Sequence, residues 1–514
     1  MLPLPTLHAP TVLRLALLLL CGLLPACGDV KIVFPDADTG DDTGLPDTDT
    51  DTDTDTATDT DTDTAPPPDP FEDPASTMDA DIVLEASGRT DGIGYGGGLA
   101  SGGDLLGSSA NDLIVGARYV DGGAGVYSGA VYVVADPPLG RSTLAEVAGM
   151  TIRGSVEYGQ FGSVVTGAGD VDGDGYADIA ASSPSIGAGT VYIFNGPFEE
   201  GDRLDSDADN TLVGDTEYGY AGAALAPGGD VNADGQDDLI VGVPNSSEGC
   251  QGCGAVMVSL AAGVRGTALL STDAVRIYGD RTYGQIGYAV SSQLDVNGDG
   301  FPEIAVGSPY TAGGGVGLLY GPFRSGSFDL SDADAWFAGD TVGTSAGTAL
   351  GGADVDGDGY DDLLVGAPQD GEAGLSAGKV YVEFGSSTRW SGENVLGSGA
   401  TLLGSAGDYA GMALGPADDV DGDGTDDLLL GAPYSSVGAP YAGMSYLVYG
   451  PIGAGAHPLS EVESVFTGVQ QSGYAGYSVA SPGDIDGGGT PDIAIGAMSG
   501  LEQSIGAIFV FLGE

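Results

Sequence analysis

Residues 170–178 read DVDGDGYAD, and four of the nine are carboxylates: Asp170, Asp172, Asp174 and Asp178. Two like charges about 4 Å apart repel by roughly 4 kcal/mol at an effective dielectric near 20, so a loop that gathers them calls for a cation. The stretch recurs as DVNADGQDD at 230–238, DVNGDGFPE at 295–303, DVDGDGYDD at 354–362 and DVDGDGTDD at 419–427. A hairpin turn asks only for Asn-Gly or Asp-Gly at two positions and supplies no reason to keep oxygen donors at positions 1, 3, 5 and 9. Calcium supplies one, because it takes roughly six to eight oxygens from alternate side chains and a backbone carbonyl.

The expected ligands are Asp170, Asp172, Asp174, Tyr176 and Asp178 in the first loop, and Asp230, Asn232, Asp234, Gln236 and Asp238 in the second. Asp295, Asn297, Asp299, Phe301 and Glu303 follow in the third, then Asp354, Asp356, Asp358, Tyr360 and Asp362 in the fourth. Asp419, Asp421, Asp423, Thr425 and Asp427 complete the fifth. The fourth residue of each set stands at position 7 and serves by its carbonyl, which fits the variety of side chains there. Position 6 is always glycine, as the sharp turn requires. An EF-hand opens in the same way but needs a bidentate Glu at position 12 and flanking helices. Position 12 here is Ala181, Val241, Val306, Val365 or Leu430, inside runs such as DLLVGAP that read as buried strands. Magnesium fits less well, since it keeps several waters whereas each loop offers five protein oxygens.

The loops punctuate a longer repeat. Two degenerate copies, DLLGSSAND at 104–112 and DIDGGGTPD at 484–492, bring the series to seven units whose first residues stand 59 to 66 apart. With Leu106 and Ser108 at positions 3 and 5, the copy at 104 is expected to be metal-free. The copy at 484 has Gly488 at position 5, so weak binding or none is expected there. Each unit reads as a small-residue strand (161–170), the acidic loop, an apolar strand (362–368), a third strand (378–385) and a fourth (401–405). This predicts an all-β fold over 79–514, a seven-bladed β-propeller of four-stranded blades. The 93 Gly and 28 Pro fall at fixed places in the unit and read as turns. Residues 507–513 look like a third strand, and 81–87 form a strand-like run with no blade of its own. Pairing the two would close the ring with strands from both ends of the chain.

The pattern resembles the FG-GAP repeat of integrin alpha subunits over about residues 81–514. Phe161-Gly162 matches the FG element, and Gly366-Ala367-Pro368 and Gly431-Ala432-Pro433 match GAP, each at the expected offset after an acidic loop. Elsewhere FG becomes Tyr95-Gly96, Ala221-Gly222, Ile286-Gly287, Ala346-Gly347, Ala410-Gly411 and Ala475-Gly476, while GAP becomes Gly242-Val243-Pro244, Gly307-Ser308-Pro309 and Gly496-Ala497-Met498. The resemblance implies seven blades, calcium in some blade hairpins and the same closure by both chain ends.

Residues 1–26 carry Arg14 ahead of an apolar run from Leu15 to Leu24, too short to span a bilayer comfortably, and read as a signal peptide. Leu24-Pro25-Ala26-Cys27 resembles a bacterial lipobox, with cleavage before Cys27 and lipid on its sulfur; ordinary secretion is the alternative. Residues 27–78 then form a lipidated N-terminus and an Asp/Thr-rich linker, centred on DTDTDTDTDTATDTDTDT at 47–64, with too few apolar groups to fold. With 75 acidic and 13 basic residues the net charge is −62, which excludes nucleic acid and anionic lipid surfaces as partners. A lipid anchor would be the sole link to a membrane.

Cys250 and Cys253 form CQGC. No second CxxC exists and the only histidines are His8 and His457, so a zinc site is disfavoured and a local disulfide is the expectation for an extracytoplasmic protein. His457, expected in a loop before a proline, cannot build a Ser-His-Asp or Cys-His set alone. The expected function is a cell-surface binding or adhesion module for an extracellular protein or glycan. An extracellular enzyme on the same scaffold, such as a polysaccharide-degrading one, is the alternative, and carboxylates converging with aromatics at the propeller axis would favour it.

Overall fold

The computed structural model describes residues 75–77, 79–86, 92–94, 98–122, 125–260, 266–272, 274–498 and 506–513. The leader, Cys27, the Asp/Thr tract and Tyr95-Gly96 lie outside them.

Seven sheets follow one another around a ring. In the second blade the first strand, Val165–Gly169, enters the acidic loop, and Asp178–Ser183 returns antiparallel. Thr190–Phe194 and Asn210–Val213 complete an antiparallel meander. The apolar second strands, such as Asp362–Ala367, are buried along their whole length, as expected of a strand covered on both faces. First strands of neighbouring blades lie side by side around the axis.

The glycines of the FG and GAP elements set how closely blades pack. A Cβ on the GAP glycine of one blade would stand 2.2 Å from the FG carbonyl of the next at Gly366 and Gly411, and 2.0 Å at Gly431 and Gly476. Only glycine permits that approach. The residue before each described FG glycine is buried whether it is Phe161, Ile286 or an alanine such as Ala410, so side-chain size there varies without disturbing the backbone contact.

Closure follows the expected route. Ile82–Glu85 pairs antiparallel with Ala507–Phe511 and is the fourth strand of blade seven. Asp81 accepts a hydrogen bond from Leu512 N (3.0 Å), as Asp209 does from Asn195 N (2.9 Å) and Asp334 from Tyr320 N (2.9 Å) in unbroken blades.

Three expectations are corrected. Each sheet has five strands rather than four. The chain between a blade's third and fourth strands reaches back to the preceding blade and adds a parallel strand to its outer edge: Gly266–Leu269, for example, pairs with Asn210–Val213. Covering an outer edge removes a row of open backbone groups. His457 lies in such a strand, Gly455–Pro458, rather than in a loop. The propeller also begins before residue 79, since Ala75–Ser76 adds this fifth strand to blade six.

Candidate metal centres

Each acidic loop joins the first and second strands of its blade, so all seven sit at the same end of the strands. Position 1 organises the turn: Asp170 accepts from Asp174 N (3.0 Å) and Gly175 N (2.9 Å), and Asp230, Asp295 and Asp354 repeat both contacts. Asp419 keeps the second of them, from Gly424 N at 2.9 Å. Position 5 turns back on its own loop, with Asp174, Asp234, Asp299, Asp358 and Asp423 each accepting the position-7 N–H at 2.9–3.0 Å. Those N–H groups belong to Tyr176, Gln236, Phe301, Tyr360 and Thr425.

Position 9 is fully buried in all five loops, at Asp178, Asp238, Glu303, Asp362 and Asp427. In the loops at 170, 295, 354 and 419 this carboxylate accepts the position-2 N–H, as in Val171 to Asp178 (2.8 Å) and Val420 to Asp427 (2.9 Å). Burial pushes these carboxyls up, to about 6 in Asp178, about 7 in Asp427 and about 8 in Glu303 and Asp362, with the neighbouring loop aspartates adding to the rise.

Carboxylate oxygens lie within 4.8 Å of one another in the sets Asp170-Asp172-Asp178, Asp354-Asp356-Asp362 and Asp419-Asp421-Asp427, each joining positions 1, 3 and 9. Asp295, Asp299 and Glu303 form the fourth set, where position 5 replaces Asn297. The loop at 230–238 is not among the carboxylate clusters of the described residues: Asn232 stands at its position 3, with its amide 3.1 Å from both Asp238 oxygens. Asp484, Asp486 and Asp492 also converge, so the degenerate loop at 484 keeps three donors without its position-5 ligand. In the loop at 419 a buried Asp419 oxygen, Oδ1, has no hydrogen-bond partner. A hard cation fits that orphan acceptor and the like charges around it.

Cys250 and Cys253 are free thiols here rather than the expected disulfide. The Cys253 thiol is buried and donates to the Cys250 carbonyl, so its sulfur is directed at backbone, and burial pushes it up to about 11.

The opposite end of the strands has another character. Tyr158, Tyr218, Tyr283, Tyr310 and Tyr441 are each more than half exposed there. Further rings form a cluster, with Tyr434 5.4 Å from Tyr474 and Tyr441 stacked on Tyr474 at 6.3 Å. A cavity of about 560 Å³ opens at the axis on this side, lined by the starts of all seven first strands together with Arg118, Gln160, Tyr220, Tyr288 and Tyr477. Among the described residues its lining holds no carboxylate. The sequence reading missed this cavity, whose residues come from every blade and carry no local pattern.

The FG-GAP repeat model matches residues 161–194, 221–260, 287–320, 346–382 and 410–448. The chain carries FG-GAP repeats. It is 32% identical to integrin alpha-PS2 of Drosophila melanogaster over 226 residues, which are 42% of this chain and 15% of that protein. It is 31% identical to integrin alpha-6 of Gallus gallus over 165 residues, 32% of this chain and 14% of that one. Phosphatidylinositol-glycan-specific phospholipase D of Bos taurus is 35% identical over 188 residues, 34% of this chain and 22% of that enzyme. The chain thus spans less than a quarter of the length of these relatives, and its propeller is integrin-alpha-like.

Proposed function

We propose that this is a calcium-binding, extracytoplasmic propeller that acts as a binding or adhesion module for a protein or glycan. Calcium would be held by positions 1, 3, 5 and 9 and the position-7 carbonyl of the five loops. It would supply the positive charge that lets the buried position-9 carboxylates ionise. The observation that carries the reading is the division of the molecule into two ends, one with every acidic loop and one where, among the described residues, all the tyrosines more than half exposed except Tyr176 stand around an axial cavity. Tyrosine offers large contact area with a polar tip at low entropic cost, which suits adhesive surfaces.

The enzyme alternative draws support from the phospholipase D relative, although that match covers 22% of that protein. A cavity lining without a carboxylate pair argues against glycoside hydrolysis at the axis. No helix among the described residues is long and apolar enough to cross a membrane. Membrane attachment in the bacterial envelope would rest on lipid at Cys27, and Cys27→Ser should then release the protein from membranes.

The test is capture of extracellular proteins and glycans by the full chain, with and without calcium, alongside Tyr218→Ala and Tyr441→Ala. Loss of capture in the tyrosine variants supports the reading. Capture that survives both substitutions and chelation sinks it.

A further inference from the structure

The metal loops touch their neighbours through a residue outside the ligand pattern. At position 8 Asp237 accepts a hydrogen bond from Asp170 N (2.8 Å), and Asp237 N donates to the Asp170 carbonyl (3.1 Å). Asp361 clasps Asp295 in the same way (2.6 and 3.3 Å), and Asp426 clasps Asp354 (3.1 and 3.2 Å). Position 8 is joined covalently to the buried position-9 ligand, and the residue it grips is the position-1 ligand of the preceding loop. Gly169 makes room for one clasp, since a Cβ there would lie 2.1 Å from the Asp237 carboxylate.

The clasps are not continuous. Position 8 is Ala177 in the loop at 170, Pro302 in the loop at 295 and Pro491 in the loop at 484. Proline has no N–H to give, and neither proline nor alanine has a carboxylate. The breaks divide the metal loops into a pair, at 170 and 230, and a triplet, at 295, 354 and 419.

We propose that Asp237, Asp361 and Asp426 are positioning residues that couple calcium binding between blades, so that the loops fill as a linked pair and a linked triplet. The inference rests on the calcium reading above. An ion in one loop fixes its 8–9 peptide, the clasp transmits that order to the position-1 aspartate next door, and the second ion then meets a prearranged ligand. Asp295 also receives an order signal from a loop whose own Asp354 is held by Asp426, which makes the loop at 354 the hub of the triplet.

Calcium titration calorimetry on the full chain tests this, with ion counts by mass spectrometry under native conditions. At free calcium just sufficient to saturate the unmodified chain, Asp356→Ala should lose about three ions and Asp234→Ala about two. Asp361→Ala, which removes no ligand, should weaken uptake by the triplet about tenfold, the size of one lost charge-assisted hydrogen bond, while the ion count at high calcium stays the same. Pro302→Asp, which adds a clasp facing Asp230 rather than removing one, should steepen the isotherm by joining pair to triplet. Single-ion losses in the knock-outs, an unaltered isotherm for Asp361→Ala, or an unaltered one for Pro302→Asp would each overturn the coupling. An unmodified chain that takes up no calcium would instead sink the metal reading and the coupling with it.

Discussion

The loop at 354–362 and the loop at 104–112 are the same hairpin with and without a chelating set. Both bury the position-9 carboxylate completely, Asp362 in one and Asp112 in the other. Both hold it by the position-2 N–H, from Val355 (3.1 Å) and from Leu105 (2.8 Å). Both have a position-1 aspartate that accepts the position-6 N–H, given by Gly359 (2.8 Å) and Ser109 (3.1 Å). Even the left-handed backbone at position 6 persists, with φ of 89° at Gly359 and 79° at Ser109. Positions 1 and 9 therefore serve the turn as well as any ion, and positions 3 and 5 are what distinguish a metal loop from a plain one.

Chelation should open the widest gap between the two. Each occupied site is worth about 2.7 kcal/mol at a hundredfold excess of calcium over its Kd, and five loops share the effect. The melting temperature should fall steeply, and hydrogen exchange should accelerate at 354–362 well before it does at 104–112. Equal acceleration in both hairpins would erase the distinction. Next in size is removal of position 9. Asp112→Ala should cost about 1–3 kcal/mol by leaving buried N–H groups without an acceptor, whereas Asp362→Ala should cost that and the ion as well. Denaturant unfolding in calcium and in chelator should show the two variants converging only in chelator.

A pH titration sharpens the contrast further. Burial raises Asp112 and Asp492 to about 6, Asp427 to about 7, and Glu303 and Asp362 to about 8, so each binds its proton more tightly folded than unfolded. Their contribution favours folding in full below the ordinary carboxylate range and is lost as pH rises through about 6 to 8. The chelated protein should thus lose stability across that window. Saturating calcium should remove the loss at Asp178, Glu303, Asp362 and Asp427 and leave the part near pH 6 that belongs to Asp112 and Asp492. The smallest effect is expected at position 7: Tyr176→Ala should change calcium affinity and stability by no more than about 0.5 kcal/mol, because its exposed ring is not the ligand.

The repeat and the seven blades were legible because each is written in a local pattern with a fixed period, and the closure because each end of the propeller reads as a strand that its own blade leaves unpaired. The fifth strands were not. Gly201–Leu204, Gly326–Asp329 and Gly392–Val395 are four residues long, mostly exposed and without alternation, so nothing local separates them from a turn. Ala75–Ser76 is shorter still. The clasping aspartates were in plain view as the first carboxylate of an Asp-Asp pair, but their partner lies one blade away, 66 to 72 residues distant in the chain. The turn role of positions 1 and 9 was hidden for a related reason: hydrogen bonding and metal ligation select the same side chain.

The closing strand also imposes an order of events on biosynthesis. Ile82–Glu85 leaves the ribosome early, yet its antiparallel partner, Ala507–Phe511, follows only after more than 400 further residues. Six blades can form from neighbouring segments while the nascent chain lengthens, but the seventh must wait until Ala507–Phe511 has been made. Through that interval an apolar strand stands without its antiparallel partner, with only the short parallel strand Gly140–Thr143 to pair with it. A ring sealed by its oldest and youngest segments resists fraying at either end once complete. Its period of greatest exposure to misassembly is the time needed to synthesise it.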